Sequence, residues 1–156
     1  MKKVVLILLF LVLLSGPVLA AEPIKIGILQ PITGWAAYEG IQNVNGAKLA
    51  IKEINEKKGV LGRPIEIIVE DSKGVPAETV SAAKKLITRD KVVALYGPNL
   101  STETLAVMPV IKDEKIVLVA GSAVANTLTK MGNEWFFRVN QNSDQEAKAF
   151  IEQWVQ

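Results

Sequence analysis

A chain of 156 residues, 49% hydrophobic and 22% charged, is long enough for one domain with a sizeable core and too apolar to be mostly disordered. It contains no Cys and no His, which excludes disulfides, thiolate or imidazole metal sites, a Cys nucleophile and a Ser–His–Asp triad. Chemistry would have to rest on Asp, Glu, Lys, Ser, Thr or Tyr.

The first twenty residues read as a secretory signal peptide. Lys2 and Lys3 form a positive start, Val4 to Leu14 is an unbroken apolar run, and Gly16 and Pro17 interrupt any helix. Val18, Leu19 and Ala20 suit a cleavage site, so cleavage is expected after Ala20 or Ala21. The run is shorter than the roughly 18–20 residues that span a bilayer. No Cys follows it, so the exported chain is not a lipoprotein. Without Lys2 and Lys3 the 18 basic residues fall to 16, matching the 16 acids. A neutral mature chain gives no field for nucleic acid or an anionic membrane as partner.

The rest of the chain alternates strands and helices. Ile24 to Leu29 is a first short apolar strand, and Pro31 and Gly34 make the following segment a loop. A long helix is expected from about Tyr38 to Lys57, with Val44, Ala47, Ile51 and Ile54 on one face and Gly59 closing it. Ile65 to Val69 is a second strand ending in Glu70 and Asp71. Pro76 opens a helix to about Thr88, with Val80, Ala83 and Ile87 facing inward. Val92 to Tyr96 is a third strand, and Ser101 is placed to cap a helix running to about Glu114. Ile116 to Val119 and Trp135 to Val139 complete the strands, with Trp135, Phe136 and Phe137 taken as core. Ser143 to Glu146 has the pattern of a capping box and starts a last helix, whose apolar face is Ala147, Phe150, Ile151 and Trp154. Strands two to four are continuous apolar runs, as expected of strands buried on both faces. The order predicts an α/β fold, a doubly wound parallel sheet flanked by helices on both faces.

Ligands of such sheets bind outside the carboxyl ends of the strands, where strand order reverses. The loops there are Gln30–Gly40, Gly97–Ser101 and Ala120–Ala123. Ser101 presents a hydroxyl beside the free N–H groups of a helix N-terminus, an arrangement that accepts a carboxylate. By itself it is an ordinary helix cap, and Gly121-Ser122-Ala123 by itself an ordinary turn. Together on neighbouring loops they point to a small-anion site. Glu39 lies near the predicted crevice, where it would meet a ligand cation or simply favour the helix dipole. Trp35 and Tyr38 offer an apolar wall. Glu70 and Asp71 form no catalytic pair, and as residues of an edge strand they would be solvated or structural. No Gly-x-Gly-x-x-Gly follows the first strand and no phosphate loop is present, so no cofactor and no metal is expected.

Several stretches in order carry a resemblance. They are Ile24-Lys25-Ile26-Gly27, Thr33-Gly34, Asn45-Gly46-Ala47 with Ala50 and Ile54-Asn55, Gly59-Val60-Leu61-Gly62-Arg63, and Val69-Glu70-Asp71. Pro76 with Ala82 and Lys85-Leu86, Gly97-Pro98, Ser101, Ser122-Ala123, Leu128-Thr129 and Phe137-Arg138-Val139 follow. Over residues 24–150 the chain resembles the branched-chain amino-acid binding proteins of ABC importers, the leucine/isoleucine/valine-type periplasmic binding family. The resemblance implies the first lobe, residues 21–156, of a two-lobe fold that closes on its ligand, with the second lobe missing. It implies a periplasmic carrier, not an enzyme, that takes an amino acid or related small carboxylate and meets an ABC permease in the inner membrane.

The resemblance also assigns site residues. Ser101 looks like the family serine that holds the ligand carboxylate, and Ser122 and Ala123 like the contacts of the loop after the fourth strand. Val124 stands where amino-acid-binding members commonly have Thr, and Glu39 where some members place an aromatic ring. These departures leave a different amino acid, an amide or another small carboxylate open as the ligand. Two other classes stay open: a ligand-sensing domain of a regulator or receptor, and a small flavodoxin-like enzyme or cofactor carrier. A cleaved signal favours the soluble carrier over the first, and the missing phosphate-binding fingerprint counts against the second.

Overall fold

Among the described residues five parallel strands, each followed by a helix, build the fold. In the computed structural model residues 22–154 are described, and the expected signal peptide lies outside them. The strands are β1 (Ile24–Gln30), β2 (Ile65–Asp71), β3 (Ala94–Tyr96), β4 (Val117–Ala120) and β5 (Phe136–Arg138). The helices are α1 (Ala37–Glu56), α2 (Pro76–Thr88), α3 (Ser101–Asp113), α4 (Thr127–Lys130) and α5 (Ser143–Trp154). The short α4 is absent from the sequence reading, and most strand limits move by one or two residues.

The sheet order is β2-β1-β3-β4-β5, with Ile24 beside Ile65, Gly27 between Ile68 and Leu95, and Leu95 beside Leu118. From β1 the chain turns outward to β2, then crosses back over β1 to β3 and continues the other way. Right-handed crossovers therefore put α1 on one face and α2 and α3 on the other. The order reverses between β1 and β3, so the loops after these strands diverge at their carboxyl ends and leave a crevice.

The two faces are not equally covered. Under α2 and α3 lie Leu29, Leu95, Leu118 and Phe136, packed with Ala83, Leu86, Val107 and Ile111 in one continuous core. On the other face α1 alone, among the described residues, covers the sheet, at its β2–β1 side. There Ala94, Tyr96, Val117 and Val119 are only half-buried and Phe137 is 52% exposed. The expectation of buried strands two to four thus holds for one face of β3 and β4 and fails for the edge strand β2, where only Ile65 is buried, and Phe137 is not core. Of the predicted inner stripe of α1, Val44 is buried, Ala47 and Ile51 are half-buried, and Ile54 is exposed. An apolar hollow of about 410 Å³ remains between α1 and the sheet, lined by Ile26, Ile28, Ala47 and Tyr96 among others.

Local ties hold the layers in register. Asn55, near the end of α1, receives the Ile65 N–H at 2.8 Å and donates to the Ile65 carbonyl at 2.9 Å, so it fixes the start of the edge strand β2. Gly59 reverses the chain after α1 with φ +70°, where a Cβ would lie 1.9 Å from the Arg63 carbonyl oxygen. On β2, Glu70 pairs with Lys85 at 2.7 Å and reaches Arg89 at 3.5 Å, joining the edge strand to α2. Along α5 no side chain is buried, and Phe150 stacks on Trp154 with ring centres 5.9 Å apart.

Candidate ligand-binding site

The crevice is lined by three loops that leave β1, β3 and β4. The first is built by Asp71. Its carboxylate receives the N–H groups of Ile32 at 2.9 Å, Thr33 at 3.3 Å and Lys73 at 2.8 Å, together with the Thr33 hydroxyl. Burial works against ionisation here, but the Thr33 side chain and the three N–H groups outweigh it and hold the carboxyl below its ordinary range. Asp71 is therefore structural, and it clamps the start of the segment that carries Trp35, Tyr38 and Glu39. Those three side chains are exposed, Trp35 by 78% and Tyr38 by 75%, so they form a rim and no closed wall.

The second loop turns at Gly97, where φ is +108° and a Cβ would lie 2.0 Å from the Leu29 carbonyl oxygen. Only glycine fits so close to the neighbouring strand. The loop then enters α3 through Leu100. Contrary to the expectation from sequence, Ser101 is not the cap but the first helical residue. The capping role falls to buried Glu103, whose carboxylate receives the Leu100 N–H at 3.3 Å and the Thr79 hydroxyl at 3.0 Å. Freed from capping, Ser101 Oγ accepts the Ala125 N–H at 3.1 Å, which ties the start of α3 to the loop after β4.

The third loop holds Ser122, Ala123 and Val124. The Ala123 methyl is buried in the core, and its carbonyl oxygen accepts from Arg138 and Asn140, both at 3.3 Å. The Val124 carbonyl is taken by the N–H and hydroxyl of Ser143 at the start of α5. What Ala123 and Val124 still offer to a ligand is backbone N–H, plus the Val124 side chain. Ser122 Oγ accepts from Asn43 Nδ2 at 3.3 Å. That amide also reaches Asn99 Oδ1 at 3.1 Å and Gln30 Oε1 at 3.4 Å.

The crevice thus brings Ser101, Ser122, Ala123 and Val124 to two adjacent loops, whereas Glu39 stands on the rim with no polar partner among the described residues. Both serine oxygens are occupied as acceptors, and neither hydroxyl finds an acceptor for its own proton among the described residues. Together with the unpaired N–H groups of the first turn of α3, this wall offers hydrogen-bond donors. Asn43, Asn99 and Gln30 were not singled out from the sequence. A signal existed for Asn43: it is spaced three residues from Gly40 and four from Ala47, on the stripe of α1 that faces the sheet. Among the described residues no group of three acidic side chains is placed to hold a metal, and no helix is long and apolar enough to cross a membrane.

Residues 23–156 match the sequence pattern of the family described as periplasmic binding protein. The chain belongs to that family. Among curated members it is 36% identical over 130 residues to the Leu/Ile/Val-binding protein BraC3 of Rhizobium johnstonii, a match covering 83% of this chain and 35% of that one. It is 32% identical to the leucine-, isoleucine-, valine-, threonine- and alanine-binding protein of Pseudomonas aeruginosa, covering 77% and 32%. The chain spans about a third of the length of the curated members it matches.

Solved members agree in fold. The branched-chain amino acid transporter substrate binding protein LivJ of Streptococcus pneumoniae, in complex with isoleucine, superposes with a TM-score of 0.74 at 34% identity, over 77% of this chain and 34% of that one. A solute binding protein of an ABC transporter from Rhodopseudomonas palustris, in complex with 3,4-dihydroxy benzoic acid, superposes with a TM-score of 0.71 at 29% identity, over 78% and 32%. These relatives are binding proteins.

Proposed function

We propose that residues 22–154 form the first lobe of an exported solute-binding protein that captures a small carboxylate, foremost an amino acid, for an ABC importer. The observation that carries this reading is the polarity of the crevice wall. Ser101 and Ser122 both have their oxygens engaged by N–H donors, which leaves their protons for an acceptor. A carboxylate is such an acceptor, and hydrogen bonds to a charged group are the stronger kind. Isoleucine and 3,4-dihydroxy benzoic acid, the ligands of two related proteins, share a carboxylate and little else.

Capture needs no chemistry. The carboxylate docks on Ser101, Ser122 and the backbone N–H groups of their loops, and a second lobe closes over it. Closure excludes water and strengthens each of those bonds. The closed form then meets the permease in the inner membrane. The leader formed by residues 1–20 would deliver the chain to the periplasm, with cleavage after Ala20 or Ala21.

Calorimetry on the full-length protein tests this reading, with the standard L-amino acids and 3,4-dihydroxybenzoic acid as probes. Ser101→Ala should weaken the tightest of them by about 1.5–3 kcal/mol, the range of a hydrogen bond to a charged group. Unchanged affinity would remove Ser101 from the site, and no binding by any probe would overturn carboxylate capture. The intact mass of the periplasmic protein tests the two-lobe expectation, which a mass matching residues 21–156 alone would overturn.

A further inference from the structure

Asn43 belongs to α1, away from the loops that carry the two serines, yet its half-buried side chain reaches the ends of three adjacent strands. Its Nδ2 lies 3.1 Å from Asn99 Oδ1, 3.3 Å from Ser122 Oγ and 3.4 Å from Gln30 Oε1. An amide NH₂ has two hydrogens, so three acceptors share them. All three therefore see a donor at this point, and none can donate to it. Ser122 must send its proton elsewhere. Asn99, with its oxygen turned to Asn43, keeps its own NH₂ free, and that group makes no hydrogen bond among the described residues. Gln30 is almost fully buried and anchors the arrangement at the end of β1.

We infer that Asn43 is a positioning residue of the ligand site: it fixes Ser122 and Asn99 as hydrogen-bond donors toward a ligand carboxylate. The inference rests on the carboxylate-capture reading. It also separates Asn43 from a plain tie between helix and sheet, because a tie works with either polarity of hydrogen bond. In Asn43→Asp the side chain keeps its shape but only accepts. Ser122 would then donate to Asp instead of to the ligand, and the Asn99 amide would turn its NH₂ inward. The tie survives and the donors are lost.

The experiment is a double-mutant cycle in ligand affinity on the full-length protein, with thermal unfolding measured alongside. The probe is whichever standard L-amino acid, or 3,4-dihydroxybenzoic acid, binds the unmodified protein most tightly. Asn43→Ala should weaken binding about five- to tenfold in the native background and by a clearly smaller factor, about two- to threefold, once Ser122 is Ala and only Asn99 is left to position. Asn43→Asp should unfold within a few degrees of the unmodified protein yet bind at least about tenfold more weakly. Equal losses in both backgrounds, or an Asn43→Asp variant with native affinity, would overturn the positioning role while leaving carboxylate capture standing. Failure of the unmodified protein to bind any probe would overturn both.

Discussion

Asp71 gives the sharpest test of how the crevice is held open. Its carboxylate collects four hydrogen bonds, three of them from the backbone of two different loops. At about 1.5 kcal/mol each, the low end for charged acceptors, the gross contribution is about 6 kcal/mol. Two of the three N–H contacts and the Thr33 hydroxyl are solvent-exposed, so water replaces much of what truncation removes. Asp71→Ala should therefore cost about 3 kcal/mol at neutral pH. Asp71→Asn keeps the shape and loses the charge, and should cost about 1 kcal/mol.

The pH dependence follows from the lowered folded-state pKa of Asp71, against an ordinary value of 3.8. A carboxyl whose pKa is depressed by folding stabilises the native state fully above its unfolded pKa. It loses that contribution as pH falls through the folded pKa. The deficit of Asp71→Asn should thus be full at neutral pH and shrink below about pH 3.8. Urea unfolding of the full-length protein and both variants, followed by circular dichroism at several pH values, measures it. An Asp71→Ala protein within about 0.5 kcal/mol of the native one at neutral pH would refute the clamp. A deficit for Asp71→Asn that is the same at acid and neutral pH would refute the electrostatic part.

Three further perturbations probe the frame. Gly97→Ala forces a Cβ to 2.0 Å from the Leu29 carbonyl and should destabilise by about 3–5 kcal/mol, read by chemical denaturation. Asn55→Ala leaves the N–H and carbonyl of Ile65 unpaired at the start of β2. It should cost about 2–3 kcal/mol and raise hydrogen exchange at the Ile65 amide, whereas native protection there would refute the role. Leu118→Ala empties a fully buried site under α3 and should cost about 3–4 kcal/mol, with a loss below about 1 kcal/mol showing that the core collapses around the gap.

The alternation of strands and helices was legible because apolar runs, prolines and glycines mark it directly. Pro76 does open α2; Gly59 lies in the turn after α1, but the cap itself is Lys57 and the first left-handed residue is Lys58, with φ +74°. Layering was less legible. An apolar run such as Val117-Leu118-Val119 reports that a strand is sheltered, not how many layers shelter it, so the half-open face of β3 and β4 was missed. Ser101 does stand at the start of α3, but its local role differs from the expected one, since the cap is supplied by a buried glutamate two residues on. Asp71 and Asn43 were missed as site builders because their partners are remote in sequence: Ile32 is 39 residues from Asp71, and Ser122 is 79 from Asn43. A polar residue on a helix or at a strand end looks solvated until topology brings its partners to it.

That distribution of roles bears on how such a site can change its ligand. The donors that the proposed carboxylate site would use come from a helix N-terminus, from backbone at loop turns, and from two serines whose oxygens are held by N–H groups. Gly97, the Ser101–Ala125 bond and the Asn43 cluster fix these parts together with the fold. They cannot drift without cost to stability. Glu39 and the Val124 side chain are different, because no hydrogen bond of the described residues depends on either one. Glu39 is exposed in the first turn of α1, and Val124 engages the fold through its backbone carbonyl. Substitution of either side chain therefore breaks none of the hydrogen bonds that tie the three loops together. A wall built this way keeps one chemical requirement constant and leaves the remainder of the ligand to residues the fold does not need.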